Sequence, residues 1–185
     1  MPIIASLIVS VEFLVLLAVN IAVGAVGFIP SVLVTALNIQ SYGLYAAAAL
    51  TFTGEIIGAI LGFYLYRFGF SKANPKWLHH PFWQKFQQQS AKRVFTLVIL
   101  LRLLPFIPSG FVTAGAALTK ISGKLFLIAS TIGKFPAVLL ELAAVYGIIQ
   151  IVPISIQYLL FSAVLIVCVV LLLKTKQAKT PQSAD

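Results

Sequence analysis

Apolar runs succeed one another along this chain, over residues 3–39, 44–66, 94–119, 125–148 and 153–173, with polar and mostly basic stretches at 67–93, at 120–124 and after 173. A helix needs about 20 apolar residues to cross a ~30 Å hydrocarbon core, so this pattern predicts membrane helices along most of the chain. Two of the runs are interrupted at mid-length by a proline followed by a serine, at Pro30–Ser31 and at Pro108–Ser109. The interruptions are copies of each other: seven of nine residues are identical between Phe28–Ala36 and Phe106–Ala114, at an offset of 78 residues. A duplicated unit that breaks its helix at membrane depth predicts inverted repeats, each a proline-broken re-entrant hairpin followed by a transmembrane helix.

On this pattern the fold is all-α and polytopic, with one membrane domain over residues 1–173. Repeat one covers about 12–69, an interfacial linker 70–91 and repeat two about 92–148. A last span follows at 153–173, then a basic polar tail at 174–185. The run from Ile3 to Ile39 carries a single charge, Glu12, and is too long for one span. It reads as a hairpin with a short lead or as two packed spans.

Composition agrees with a lipid-embedded chain. Apolar residues make up 61% and charged residues 9%, and the mean hydropathy is +1.06. A soluble domain is ordinarily ~25% charged. The net charge of +9 is not a nucleic-acid footprint, because every cationic residue except Arg102 and Lys134 falls in the clusters 67–93, 120–124 and 174–179. Short basic loops mark the cytoplasmic side. All three clusters lie on that side if the Pro108 run dips in and returns. The C-terminus is then cytoplasmic, and the inverted first hairpin enters from outside to meet the second tip to tip. No basic stretch precedes the first apolar run, so a cleaved signal peptide is not expected.

The linker places Trp77, Phe82, Trp83 and Phe86 among Lys76, Lys85 and Lys92. Rings at headgroup depth beside lysines predict a surface segment, Trp77–Arg93, in contact with anionic inner-leaflet lipid or simply anchoring the halves. His79 and His80 are adjacent and share no helical face, so no metal site is expected from them. Cys168 is alone, which excludes an intrachain disulfide.

Chemistry concentrates where charge meets the broken helices. Arg102 follows Arg93 by nine residues, about 13.5 Å along a helix, which places it near mid-membrane. An unpaired arginine there costs about 2.5–3.5 kcal/mol on insertion scales. Glu55, at matching depth on the 44–66 span, is its expected counter-charge, with Glu141 second. The pair either locks the halves together or, through Glu55 and Glu141, relays protons. Pro30, Pro105 and Pro108 break the hairpins, and Ser31 and Ser109 are placed to cap the half-helices that follow. Two half-helix N-termini and Arg102 make a place for an anionic headgroup, with Glu55 beside it. Gly54, Gly58 and Gly62 form a small-residue stripe for close helix packing. Lys134 is out of place in the 125–148 run and either snorkels or pairs with an acid.

Two blocks, Gly-Glu-Ile-Ile-Gly-Ala-Ile-Leu-Gly-Phe-Tyr-Leu-Tyr-Arg-Phe-Gly at Gly54–Gly69 and Arg-Leu-Leu-Pro-Phe-Ile-Pro-Ser-Gly at Arg102–Gly110, resemble the signatures of the DedA / SNARE-associated Golgi protein superfamily. Ala114/Gly115, Ile132/Gly133, Pro136 and Tyr146/Gly147 continue the likeness to its VTT domain, over roughly residues 12–148. The resemblance implies two re-entrant hairpins and the movement of lipids between leaflets. Bacterial members are linked to undecaprenyl phosphate or phosphatidylethanolamine, often with proton-motive-force dependence, and eukaryotic members to phospholipid scrambling. Glu55, Arg67 and Arg102 match family positions. Ser31 and Val32 stand where flippase-type members carry an acid, and Pro108 stands where they carry a second arginine. The chain is therefore more similar to the yeast-Golgi-protein-type branch than to the undecaprenyl-phosphate flippases.

These features together predict a lipid flippase or scramblase of the bacterial plasma membrane, multi-pass, with membrane lipids as partners and a homodimer allowed. Proton coupling is admitted, no cofactor is expected, and no nucleophile or metal cluster suggests an enzyme. A proton-coupled carrier of a small soluble solute and a structural membrane-organising protein are the alternatives.

Overall fold

The computed structural model describes residues 2–73, 75–104, 107–153, 155, 156, 159 and 162, with the side chains of 2–9, 77, 79 and 82 outside that description. Pro105, Cys168, the predicted last span beyond these residues and the tail 174–185 therefore lie outside the described residues. By its internal contacts the chain divides into Met1–Val145 and Tyr146–Asp185. Both helix breaks belong to the first unit.

The described residues are helical, without a strand among them. In chain order they form α1 (Pro2–Val26), α2 (Val32–Ala73), a 3-10 turn (Lys76–His79), α3 (Pro81–Gln87), α4 (Ala91–Leu103), α5 (Ser109–Ala117) and α6 (Gly123–Ile151). Two of them, α2 and α6, are long and apolar enough to cross a membrane.

Local chemistry explains each boundary. α1 stops at Gly27, whose φ of 69° suits glycine alone, and its N–H closes the last turn on Val23 O at 2.8 Å. Pro30, which has no N–H to donate, lies in the gap before α2. Within α2, Gly43 adopts φ 72° and ψ 171°, so α2 is a short arm, 32–42, and a long arm, 44–73. Ser90 caps α4 by accepting from Arg93 N, and Leu104, which precedes Pro105 in sequence, leaves the helix at φ −85°, ψ 112°. The long arm of α2 runs four residues into the stretch assigned to the linker, up to Ala73, because Gly69 alone weakens the helix there and the next proline is Pro75.

The repeat is visible element by element. α1 corresponds to α4, the short arm of α2 to α5, and the long arm to α6. A core of Ala59, Phe63, Val94, Val98, Val112, Ala116, Ala117, Ile121, Phe126 and Ala129 forms between α2, α4, α5 and α6. Phe63 and Phe126 stack at 4.4 Å between centroids. Over Phe63 lies the guanidinium of Arg67, 4.2 Å from the ring. Its fork donates to Ala117 O, Thr119 O and Ile121 O at 3.2, 2.8 and 2.8 Å, closing the C-terminal end of α5, whose last carbonyls lack helical partners.

One buried polar cluster of the first half has an apolar counterpart in the second. Asn38 Nδ2 donates to Asn20 Oδ1 at 3.3 Å and to Thr51 Oγ1 at 2.8 Å, and Asn20 Nδ2 donates to Leu16 O at 2.7 Å. Displaced by the repeat offset, the same positions are Val98, Ala116 and Ala129, all buried and apolar. The fold therefore accepts either chemistry at these sites. Removing the middle amide alone should cost about 1–3 kcal/mol, since Asn38→Ala strands Thr51 and Asn20. The triple variant Asn20→Val, Asn38→Ala, Thr51→Ala, which copies the other half, should recover most of that loss in thermal unfolding in detergent. A triple variant no more stable than Asn38→Ala would contradict this equivalence.

Candidate functional site

The two gaps between helices meet at Gly27 and Gly110. Gly110 N donates to Gly27 O at 2.8 Å, and Ser109 Oγ reaches the same carbonyl at 3.3 Å. Phe28 and Phe111 pack edge to face at 4.9 Å. A Cβ on Gly110 would lie 2.8 Å from Val26 O, so the crossing requires glycine.

Around this crossing opens a half-open cavity of about 560 Å³, bounded by the end of α1, both gaps, α2, α4 and α6. Its wall carries Arg102, Glu55, Lys134, Glu141, Ser31 and Ser109 together with Pro30 and Pro108. The structure thus brings into one chamber the residues expected from the sequence to meet a headgroup, Arg102, Ser31, Ser109 and Glu55, with the acid Glu141 and two of the three prolines expected to break the hairpins. Exposed apolar side chains, among them Phe28, Ile29, Leu103, Leu104 and Leu140, form part of the lining.

The pairing of charges departs from expectation. Glu55 is partnered by Lys134, not by Arg102: Lys134 Nζ lies 2.7 Å from Glu55 Oε2 and 3.3 Å from Glu55 O. Both side chains are almost wholly buried. Arg102 sits on α4 where that helix crosses α6 at Gly133; a Cβ there would lie 2.9 Å from Arg102 Cβ. From this crossing the arginine donates through one nitrogen to Thr113 Oγ1 on α5, at 3.2 Å, and lies 5.6 Å from the Phe126 ring. Depth along the two helices matched Arg102 with Glu55, but rotation about them sends the arginine to α5. Arg102 is 6% exposed, and its Nε and second terminal nitrogen have no partner among the described residues.

The serines do not cap. Ser31 Oγ donates to Glu141 Oε2 at 2.8 Å, and Thr35 Oγ1 donates to Glu141 Oε1 at 2.7 Å. Ser109 opens α5 as its first helical residue, so Pro108 holds the cap position and no side chain caps it. Thr35 and Thr113 carried no signal of their own in an apolar run, although the repeat places each four residues after its serine.

The glycine stripe lies against α1. A Cβ on Gly54 would run into Asn20, one on Gly58 into the backbone of Ile21, Gly24 and Ala25, and one on Gly62 into Ala25. Gly24 approaches the Glu55 backbone less tightly: a Cβ on it would lie 3.1 Å from Glu55 Cα. Close packing of α1 on α2 therefore carries Glu55 to the cavity wall. Among the described residues no three His, Cys, Asp or Glu side chains gather as metal ligands.

Comparison with known proteins adds kinship. The profile of the VTT domain matches residues 29–147. Of Bacillus subtilis (strain 168) proteins, "Uncharacterized protein YqeD" is 36% identical over 109 residues, covering 58% of this chain and 52% of that protein. "Uncharacterized membrane protein YhjE" of the same organism is 31% identical over 108 residues, with the same coverage of 58% and 52%. The chain spans about half the length of these curated relatives. No solved structure matches it significantly.

Proposed function

Because the chain belongs to the VTT domain family, we propose that it is an integral membrane transporter of the flippase or scramblase type. It moves a lipid with an anionic or zwitterionic headgroup between leaflets. In this reading the two gaps are the tips of re-entrant hairpins within a single membrane domain, the chain is multi-pass in the bacterial plasma membrane, and the tail is cytoplasmic. The stretch Trp77–Arg93 rests on the anionic inner leaflet.

One observation carries the reading: a buried arginine with two unpartnered nitrogens lines a half-open cavity between two broken helices. Guanidinium donors left over at such a place bind phosphate or carboxylate, with a charge-assisted bond as the gain. The volume lies in the ordinary range for a small-molecule site, large enough for a headgroup. Exposed apolar lining at Phe28, Ile29, Leu103 and Leu104 suits acyl chains that stay in the bilayer while the headgroup crosses. This favours a lipid over a soluble solute, whose route would be walled from lipid. Arg102 holds the headgroup, Ser109 and Thr113 flank it, and the Glu55–Lys134 pair forms a neutral wall beside it.

Leaflet exchange of fluorescent phospholipids in liposomes, read by dithionite quenching, tests this. The wild-type protein should allow quenching well beyond the outer-leaflet half. Arg102→Ala should slow exchange roughly 10- to 100-fold, the loss of a charge-assisted bond worth about 1.5–3 kcal/mol. No exchange by the wild-type protein with any of several headgroups, or full exchange by Arg102→Ala, would refute the reading.

A further inference from the structure

We propose that the Ser31/Thr35 hydroxyl pair is a second anion site, occupied in this state by the carboxylate of Glu141 acting as an internal stand-in for the ligand's anionic group. This second site presupposes the anion-handling cavity proposed above and adds to it a rule of occupancy.

Each Glu141 oxygen receives its own hydroxyl, Oε2 from Ser31 and Oε1 from Thr35, at 2.8 and 2.7 Å. Two adjacent oxygens of a phosphate can take the same two donors. The hydroxyls stand at the beginning of α2, where Thr35 N already bonds Ser31 O and the leading N–H groups of the helix have no helical acceptor. That end of a helix favours negative charge. No cation meets Glu141 directly among the described residues. Of the charged groups around it, Glu55 is a second carboxylate and Lys134 is committed to that carboxylate.

Independent of these bonds, Arg102 on the same cavity wall is 6% exposed and holds two unpartnered nitrogens. These two nitrogens are buried behind the wall of the chamber that also holds the Ser31/Thr35 pair, and a charged donor without a partner there is what an anionic ligand reaching it would satisfy. The repeat gives the two stations the same hydroxyl chemistry. Ser31 and Thr35 become Ser109 and Thr113 on adding the offset, and Thr113 is the residue that meets Arg102. One repeat presents its threonine to a cation, the other to an anion.

The consequence is competition. An anion passing from Arg102 toward Ser31 and Thr35 meets the like charge of Glu141 and has to displace it. Glu141 therefore keeps the second station closed until a ligand arrives, and its removal opens the station permanently.

Titration calorimetry on the full-length protein in neutral detergent tests this with dihexanoyl phosphatidic acid below its micellar concentration. Inorganic phosphate is titrated in a parallel arm, and dihexanoyl glycerol serves as the probe without an anion. Glu141→Ala should bind the phosphatidic acid roughly tenfold tighter than wild type, and adding Ser31→Ala and Thr35→Val should abolish that gain. A gain with phosphate too assigns the site to the anion alone; a gain confined to the lipid assigns it to a lipid headgroup. Glu141→Gln keeps the side-chain volume and removes the charge, and serves if the alanine variant does not fold; a smaller gain is expected.

Affinity unchanged or weaker in both Glu141 variants overturns the proposal, as does a gain that survives loss of the hydroxyls. Arg102→Ala separates the two readings. If it abolishes wild-type binding while the Glu141 variants show no gain, the central cavity stands and the stand-in role falls. If it leaves binding intact while Glu141→Ala still gains, the cavity takes its anion at Ser31 and Thr35, and Arg102 loses its assigned role as the group that holds the headgroup.

Discussion

Replacing Lys134 alone with methionine is expected to lower the unfolding free energy by about 3–5 kcal/mol, and replacing Lys134 and Glu55 together, with methionine and glutamine, to return most of that loss. The two side chains meet at 2.7 Å with 5% and 10% of their surface exposed. Lys134 also reaches the Glu55 carbonyl. Removing the ammonium leaves a carboxylate with its neutralising partner gone in a nearly dry site, and the protein must bear its desolvation or protonate it. Glu55→Gln should be comparably costly, since it strands the ammonium. The double variant strands neither, and two uncharged groups of similar size avoid the penalty. Reversible unfolding in mixed micelles, followed for wild type, both single variants and the double, gives the coupling energy. Additive losses in the double variant would show that the pair is not energetically coupled. Leaflet exchange by the double variant is a further readout: retained exchange makes the pair scaffold, and lost exchange makes one of its members part of the transport path.

That pair also marks where sequence legibility ends. The repeat was legible from nine residues, and it maps onto the structure down to single positions: Asn20, Asn38 and Thr51 against Val98, Ala116 and Ala129. The breaks at Pro30 and Pro108 were legible because proline acts through its own backbone, and both lie on the cavity wall. Spacing along a helix was legible as well, since it follows from counting residues at a fixed rise. Rotation about the helix axis was not. Glu55 falls one position short of Lys134 under the repeat offset, so both lie at equivalent heights, yet which acid met which base depended on the Gly133 crossing that turns Arg102 toward Thr113. Asn20 and Asn38 carried no signal of each other, because a lone amide in an apolar run names no partner. Gly43 resembled any other helix glycine until its φ of 72° split α2.

Among the glycines of α2, Gly58→Ala should be the most damaging, with a loss of about 3 kcal/mol or more, at or beyond the upper end of ordinary overpacking penalties. Its missing Cβ faces backbone only: Ile21 O, Ala25 N at 2.8 Å and Gly24 C at 2.8 Å. A side chain in the way can change rotamer, but a helix backbone cannot, so α1 and α2 must separate along their whole contact. The separation weakens the dispersion contacts that hold helices together where lipid is as apolar as the protein. It also draws Gly24 away from the Glu55 backbone, on the wall of the cavity. Gly69→Ala on the same helix is the control, since a Cβ there meets nothing within 4 Å. That change should be neutral or stabilising by up to about 1 kcal/mol through helix propensity. Gly43→Ala is a third case, free of collisions but held at φ 72° and ψ 171°, a region open essentially to glycine, and should cost about 1–3 kcal/mol from backbone strain alone. Thermal unfolding of the three variants in one detergent should therefore rank them Gly69→Ala, Gly43→Ala, Gly58→Ala in decreasing stability. If Gly58→Ala unfolds with Gly69→Ala, α1 and α2 do not pack backbone to backbone, and the helix contact that brings Glu55 to the cavity wall is lost with that result.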